Sequence, residues 1–124
     1  MGDPTDAVMA ALASTLNLVL DIPVVDGWPE PKPAPVCVIG EADSEPDEAE
    51  GSDAWIVTAY INVIISDKAM KRLNEVLRQI TDALREFTMN NLVWVSLSVQ
   101  RKRLADGAAR IGTVTVKMEV EDGL

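Results

Sequence analysis

Residues 54–65 read Ala-Trp-Ile-Val-Thr-Ala-Tyr-Ile-Asn-Val-Ile-Ile, a run that is apolar on both faces when taken with a period of two. Trp55, Val57, Ala59, Ile61, Val63 and Ile65 share one face. Ile56, Tyr60 and Ile64 share the other, where Thr58 and Asn62 interrupt them. Aromatic and β-branched residues dominate, with no Gly or Pro, so the run reads as a strand. A strand apolar on both sides belongs in the middle of a sheet, or needs a partner on its outer face. A helix follows at once. Met70, Leu73, Leu77, Ile80, Leu84 and Phe87 recur at steps of three and four, and Val76 and Ala83 widen this buried stripe. Lys71, Arg72, Glu75, Arg78, Asp82, Arg85 and Glu86 fill the opposite side. Ser66 or Asp67 is placed to cap the start, and Asn90-Asn91 suits a left-handed turn at the end. A helix over 67–89 would be roughly 30 Å long, enough to cover a small sheet.

Four further segments can be placed around this unit. Asp3-Pro4-Thr5-Asp6 is a helix start, with Asp3 as cap and Pro4 at the first helical position. Val8, Leu12, Leu16 and Val19 then line one face, which predicts a core-packed helix over 4–19. Pro23, Pro29, Pro31, Pro33 and Pro35 predict an extended connector over 22–35, with Trp28 as a lid on the core. A short strand at 35–40 ends at Gly40. Val93, Val95, Leu97 and Val99 alternate with Trp94, Ser96, Ser98 and Gln100, and Val114, Val116, Met118 and Val120 alternate with Thr113, Thr115, Lys117 and Glu119. These two runs predict a hairpin with one core face and one wet face, turning at Asp106-Gly107. The expected fold is α+β: a mainly antiparallel four-stranded sheet of 35–40, 54–65, 92–101 and 111–120. The long central helix and the N-terminal helix pack against it, in a single domain over 1–124. Val93, Val95, Leu97, Val114, Val116, Leu73, Leu77 and Ile80 are the expected core.

Charge is unevenly distributed. Residues 1–66 hold twelve acids and one base, Lys32, whereas 67–124 hold eight acids and ten bases. Residues 41–53 carry seven acids, Glu41, Asp43, Glu45, Asp47, Glu48, Glu50 and Asp53, with no base. Such a run repels itself, which predicts an exposed, mobile loop that orders against a partner. It does not fit a calcium loop, because Glu48 stands where an EF-hand needs Gly. Arg101, Lys102, Arg103 and Arg110 form the dense positive patch, either a solubilising surface or a contact with an acidic neighbour. A chain with one acidic half suits head-to-tail pairing of copies. The net charge of −9 argues against electrostatic binding of nucleic acid.

The chemistry-bearing residue types are sparse. The chain has no His, which removes the commonest general base, His-based triads and HExxH zinc sites. Cys37 is the only cysteine, so neither a zinc knuckle nor an internal disulfide is expected, which fits a reducing compartment. The seven glycines make no phosphate-binding loop. We expect no catalytic, cofactor or metal residues. The longest apolar run is too short to span a membrane. Acids and no early base at the start argue against a signal peptide.

Read as a whole, the order of segments resembles the tail terminator, or tail-completion, proteins of long-tailed bacteriophages. The likeness lies in several stretches. Ala7, Val8, Ala11 and Leu12 open the first helix, and Asp26-Gly27 leads into the Pro-rich segment. Pro35, Val36, Val38 and Gly40 mark the next strand, the acidic run precedes the Trp55-led strand, and Thr115-Val116 precedes a Glu119-Val120 ending. The resemblance implies a structural protein that forms a ring, usually of six copies, on the last ring of tail-tube protein. It would stop tube growth at the head-proximal end of the virion tail, after assembly in the host cytoplasm, and offer a surface to the head-tail connector. DNA would pass through an acidic lumen without being bound. Glu41, Asp43, Glu45, Asp47, Glu48 and Glu50, together with Arg101, Lys102, Arg103 and Arg110, are the expected subunit interface. The alternative is a ligand-binding or regulatory α+β module that dimerises through its sheet. The two differ in the oligomer expected, a ring in one case and a stable dimer in the other.

Overall fold

The computed structural model describes residues 3–27, 35–48, 53–66, 68–89, 91–103 and 109–121. Helix α1 (Thr5–Val19) is followed by strands β1 (Val24–Asp26), β2 (Val36–Pro46) and β3 (Ala54–Ser66), then helix α2 (Met70–Arg85) and strands β4 (Leu92–Arg103) and β5 (Ala109–Glu121). The sheet order is β1-β2-β3-β5-β4. The doubly apolar strand is therefore the central one, paired antiparallel to β2 on one side and to β5 on the other. Its odd-numbered residues from Val57 to Ile65 are buried against the helices, with Val114, Val116, Met118 and Val120 of β5 beside them. Helix α1 packs over β1 and β2, and α2 over β3 and β5. Leu73, Val76, Leu77, Ile80 and Leu84 of α2 lose nearly all contact with water.

Several expectations need correction. The sheet has five strands and is mixed, because β1 runs parallel to β2, matching Val24–Asp26 with Cys37–Ile39. The Pro-rich reading missed β1: Val24 and Val25 are β-branched, and the Pro23 carbonyl accepts the Cys37 N–H at 2.8 Å. The segment expected as a mobile acidic loop is in part a strand. Glu41–Pro46 continue β2 and pair with residues 55–60 of β3. Here the waiting backbone edge of β3 outweighs low strand propensity, since Ala42 and Ser44 turn towards the helices while the acids face outwards. Gly40, which was expected to end the strand, bridges its two halves at φ 121°, within a register shift between Val38 and Glu41. A Cβ there would meet the Asp26 carboxylate and the Gly27 backbone nitrogen, so only glycine fits.

The helices are otherwise as the periodicity requires, with shorter ends. α2 spans 70–85 rather than 67–89 and takes no side-chain cap; Ala69 stands at its N-cap, and Ser66 instead accepts the Lys68 N–H at 3.4 Å. At the start of α1 the Asp3 carboxylate accepts the Thr5 N–H at 2.9 Å and also the Ser44 hydroxyl of β2. Asn91 takes the left-handed conformation at φ 68°. Val93 is not core but 48% exposed, because a bulge between Leu92 and Trp94 turns it out. Val95 and Leu97, also expected as core, are half-buried. Trp28, Pro29, Pro31, Pro33, Glu50, Asp67, Asn90 and the Asp106-Gly107 turn lie outside the described residues. No helix among the described residues is long and apolar enough to cross a membrane.

Leu77 is 1% exposed, and its methyl groups lie against Gly112 of β5. Leu77→Ala is expected to cost roughly 2–5 kcal/mol through the cavity it leaves. Urea unfolding measures this, and a loss below about 0.5 kcal/mol, the scale of surface changes, would refute the packing of α2 on β5.

Candidate functional site

With both helices on one side, the other side of the sheet is free of helix among the described residues. Facing pairs define it row by row. Glu41 stands beside Tyr60, which stands beside Thr115, which stands beside Ser98. The next rows are Asp43, Thr58, Lys117, Ser96 and then Glu45, Ile56, Glu119, Trp94. This surface is largely hydroxyl and carboxylate. Towards the other end of the same face Val36, Val38 and Ile111 are buried, and Asn62 accepts the Thr113 hydroxyl at 2.7 Å.

The acidic candidates gather at one corner. Glu41, Asp43 and Glu45 project from the outer half of β2, and Asp47 and Glu48 follow it. Tyr60 donates its hydroxyl to Asp43 at 3.0 Å; this bond, together with the negative charges of Asp43 and Glu41, pushes the phenol above its ordinary pKa. The Glu119 carboxyl hydrogen-bonds to that of Asp47, and this contact raises its pKa, with partial desolvation and the Asp47 charge adding to it. The side chain of Trp94 hydrogen-bonds to Glu119 and partly opposes the shift. Asp3 goes the other way: the Ser44 and Thr5 hydroxyls favour its ionised form. The Glu119 and Asp47 pair was not foreseen, because it depends on the β3–β5 register and not on any spacing in the sequence.

The basic candidates lie at the diagonally opposite corner. Arg101, Lys102 and Arg103 end β4, the edge strand beside β5, and Arg103 stands opposite Arg110. Arg101 donates from Nε to Asn74 of α2 at 2.9 Å. One end of the sheet is marked by Pro46, Trp55, Val120 and Leu92 in facing positions, and the other by Val36, Ile64, Ile111 and Lys102. The acids sit near the first end and the bases at the second. The structure thus gathers each cluster and keeps them on different strands, the acids on and after β2 and the Arg101–Arg103 run on β4, with β3 and β5 between them.

Among the described residues no group of three or more His, Cys, Asp or Glu side chains could hold a metal. Cys37 is buried in the core, and burial pushes its thiol up to about 12, so it is a packing residue and not a nucleophile. The depressions are surface grooves. A groove of about 400 Å³ runs between α2 and β4, lined by Thr81, Arg85, Val95, Leu97, Ser98 and Val99. A second of about 430 Å³, lined by Lys71, Asn74, Glu75, Arg78 and Arg101, extends the same seam.

The family model described as tail completion protein gp17 matches residues 5–121. Among solved structures, a chain in the virion of a native gene transfer agent particle superposes with a TM-score of 0.79 at 15% identity, covering 98% of this chain and 100% of that one. The gp17 protein of bacteriophage SPP1 superposes with a TM-score of 0.52 at 18% identity, covering 97% of this chain and 90% of that one. At these identities the two structures establish the fold alone. No curated protein matches the sequence.

The carboxyl pair gives a pH prediction. The folded pKa of Glu119 lies above its ordinary value, so the folded state holds the shared proton more tightly than the unfolded chain. That contribution is present in acid and is lost as pH rises through the folded pKa. Glu119→Gln can donate an amide N–H to Asp47 at any pH. It is expected to raise the melting temperature at about pH 7 and to change it little at about pH 4. A lower melting temperature at the higher pH would contradict the proton-sharing pair.

Proposed function

Because the chain belongs to the gp17 family of phage tail completion proteins, we propose that it caps the tail tube, ends its polymerisation and forms the junction with the head connector. The observation that carries this reading is the family match across residues 5–121. Membership makes the chain a structural component of a phage tail, in a family that is not an enzyme class. In the reading proposed here it acts as one domain over 1–124, in a closed ring of six copies at the head-proximal end of the tail. The ring is assembled in the host cytoplasm, meets tube protein on one side and connector on the other, and lets DNA pass unbound.

The surface supports such a role. Its polar, helix-free sheet face and its charged corners are contact surfaces, and the grooves lack convergent buried polar groups of the kind that hold a small ligand. An acidic corner and a basic corner at opposite ends of the strands can address two different neighbours. Each exposed ion pair is worth only about 0–1 kcal/mol, so contacts of this type act collectively and weaken with salt.

Two experiments test the reading. Particles assembled without this chain are expected to carry tails longer than the normal length and without heads, and adding the purified chain is expected to restore both, as read by electron microscopy. Tails of normal length joined to heads in its absence would overturn the proposal. Secondly, Arg101→Glu combined with Arg103→Glu is expected to weaken assembly at low salt and to have little effect at high salt, measured by sedimentation. Unchanged assembly at low salt would remove the basic corner from the interface.

A further inference from the structure

The groove between α2 and β4 has a floor and a wall of different character. Among the described residues no helix is centred over β4, because α2 lies over β3 and β5. Val95, Leu97 and Val99 turn towards the helix side but stay half-buried, and they form an apolar floor. The wall is the flank of α2. Lys71, Asn74, Arg78, Thr81 and Arg85 stand there at steps of three and four, and all five line the groove. They make one straight stripe, separate from the stripe of Leu73, Val76, Leu77, Ile80 and Leu84 that meets the sheet. Its bases, Lys71, Arg78 and Arg85, recur at every seventh residue and are all exposed. Arg101 of β4 stands beside Lys71 and Arg78, whereas Thr81 and Arg85 stand beside Val95 and Leu97, so α2 and β4 run antiparallel along the groove.

Charge in the groove is unbalanced. Among the described residues Glu75 is the one acid that lines it, and Arg72 stands 3.7 Å from that carboxylate. Asp82 approaches Arg85 at 3.6 Å, while Lys71 and Arg78 have no ion pair among the described residues. Water solvates the bases well but not the floor. We propose that this groove is the docking site for an acidic amphipathic helix of another protein of the phage particle. The inference rests on the chain's place in a phage tail, and not on the cap or the ring.

The spacing of the bases selects a helix. Seven helical residues rise about 10.5 Å, so a helix laid along α2 with an acid at every seventh position meets Lys71, Arg78 and Arg85 in turn. Alternate residues of an extended strand repeat at about 6.8 Å and fall out of step. From Lys71 to Arg85 is roughly 21 Å, so about four turns fill the groove. The apolar side of such a helix covers Val95, Leu97 and Val99, and its acids lie against the wall. Burial of the floor drives the contact, and the charges choose the partner. A second copy of this chain does not present the pattern. Asp6 is the one ionisable residue of α1, α2 itself carries four bases and two acids, and the acids of β2 lie on a strand.

Two probes test the groove. The first is a pair of synthetic peptides of about five turns. Both carry Leu at the first and fourth positions of each heptad, with Gln and Ala elsewhere; one has Glu and the other Lys at the seventh position. By fluorescence anisotropy at low salt, the Glu peptide is expected to bind and the Lys peptide is not. Leu97→Asp is expected to weaken binding at least about tenfold, since it buries an unpaired carboxylate. Lys71→Glu, Arg78→Glu and Arg85→Glu together change only exposed positions. This triple variant, checked for a melting temperature near the parent's, is expected to invert the preference. Equal binding of the two peptides, binding of neither, or a preference that survives the triple exchange would overturn the proposal. The second probe places a photoreactive benzophenone residue at Leu97, or at Ser96 on the opposite face as control, in assembled particles. The Leu97 position is expected to cross-link to a segment of another particle protein with apolar residues at helical spacing and acids beside them, identified by mass spectrometry; the Ser96 position is not. A cross-link to a second copy of this chain, a cross-link to a basic segment, or none in intact particles would sink the assignment. Tail length in the absence of the chain bears on the cap alone, so the two readings can fail separately.

Discussion

The backbone ladder of β3 is the interaction on which everything else depends. This strand is hydrogen-bonded along nearly its whole length on both sides, to β2 and to β5. An apolar strand has no satisfactory edge position in water, because its polar backbone would be left unpaired while its side chains remain exposed. Placing it centrally solves the backbone problem and creates a packing problem on two faces. The helix side is closed by the stripe from Leu73 to Leu84, assisted by Leu12 and Leu16 of α1. Gly112 belongs to that solution: a side chain there would collide with the methyl groups of Leu77, so α2 sits close to β5 only because the position is bare.

The demand of β3 for partners also explains where sequence reading succeeded and where it failed. The central strand, α1, α2 and the β4–β5 hairpin were legible because each carries its own period, of two or of 3.6 residues. Glu41–Pro46 were illegible because nothing in Glu-Ala-Asp-Ser-Glu-Pro asks for a strand, and the instruction comes from the unsatisfied edge of residues 55–60. Val24–Asp26 pair in parallel with a strand that begins ten residues further on, a contact that no local pattern encodes. Val93 misled because alternation cannot reveal a bulge; one extra residue turned a core position outwards. For the candidate site, Glu41, Asp43, Glu45, Glu48 and Arg101–Arg103 are exposed as their charge suggests, Asp47 and Arg110 are half-buried, and the placing of acids and bases on different strands follows from strand order and could not be read without it.

The function follows from what the fold leaves open. A domain of this size could enclose a ligand pocket, but α1 is spent on covering β1 and β2 and α2 on covering β3 and β5, all from one side, and no helix among the described residues covers the other. Flat surfaces with scattered hydroxyls and carboxylates recognise other flat surfaces and do not concentrate charge on a reacting atom. Family membership in phage tail completion agrees with this economy: a structural tail protein works through its contact surfaces.

The edge strand β4 is a surface whose contacts the fold restricts. Long exposed edges invite uncontrolled pairing, and proteins blunt them with charges, bulges and short lengths. β4 has two of these devices, the bulge at Val93 near its start and three consecutive bases at its end. Between them the apolar floor of Val95, Leu97 and Val99 remains available. The devices restrict which partner can approach. A second copy of β4 is opposed by its own Arg101–Arg103 segment, since like charges across a strand pair are destabilising. A sheet edge blunted in this way disfavours pairing with a copy of itself, which leans against a two-fold dimer through β4.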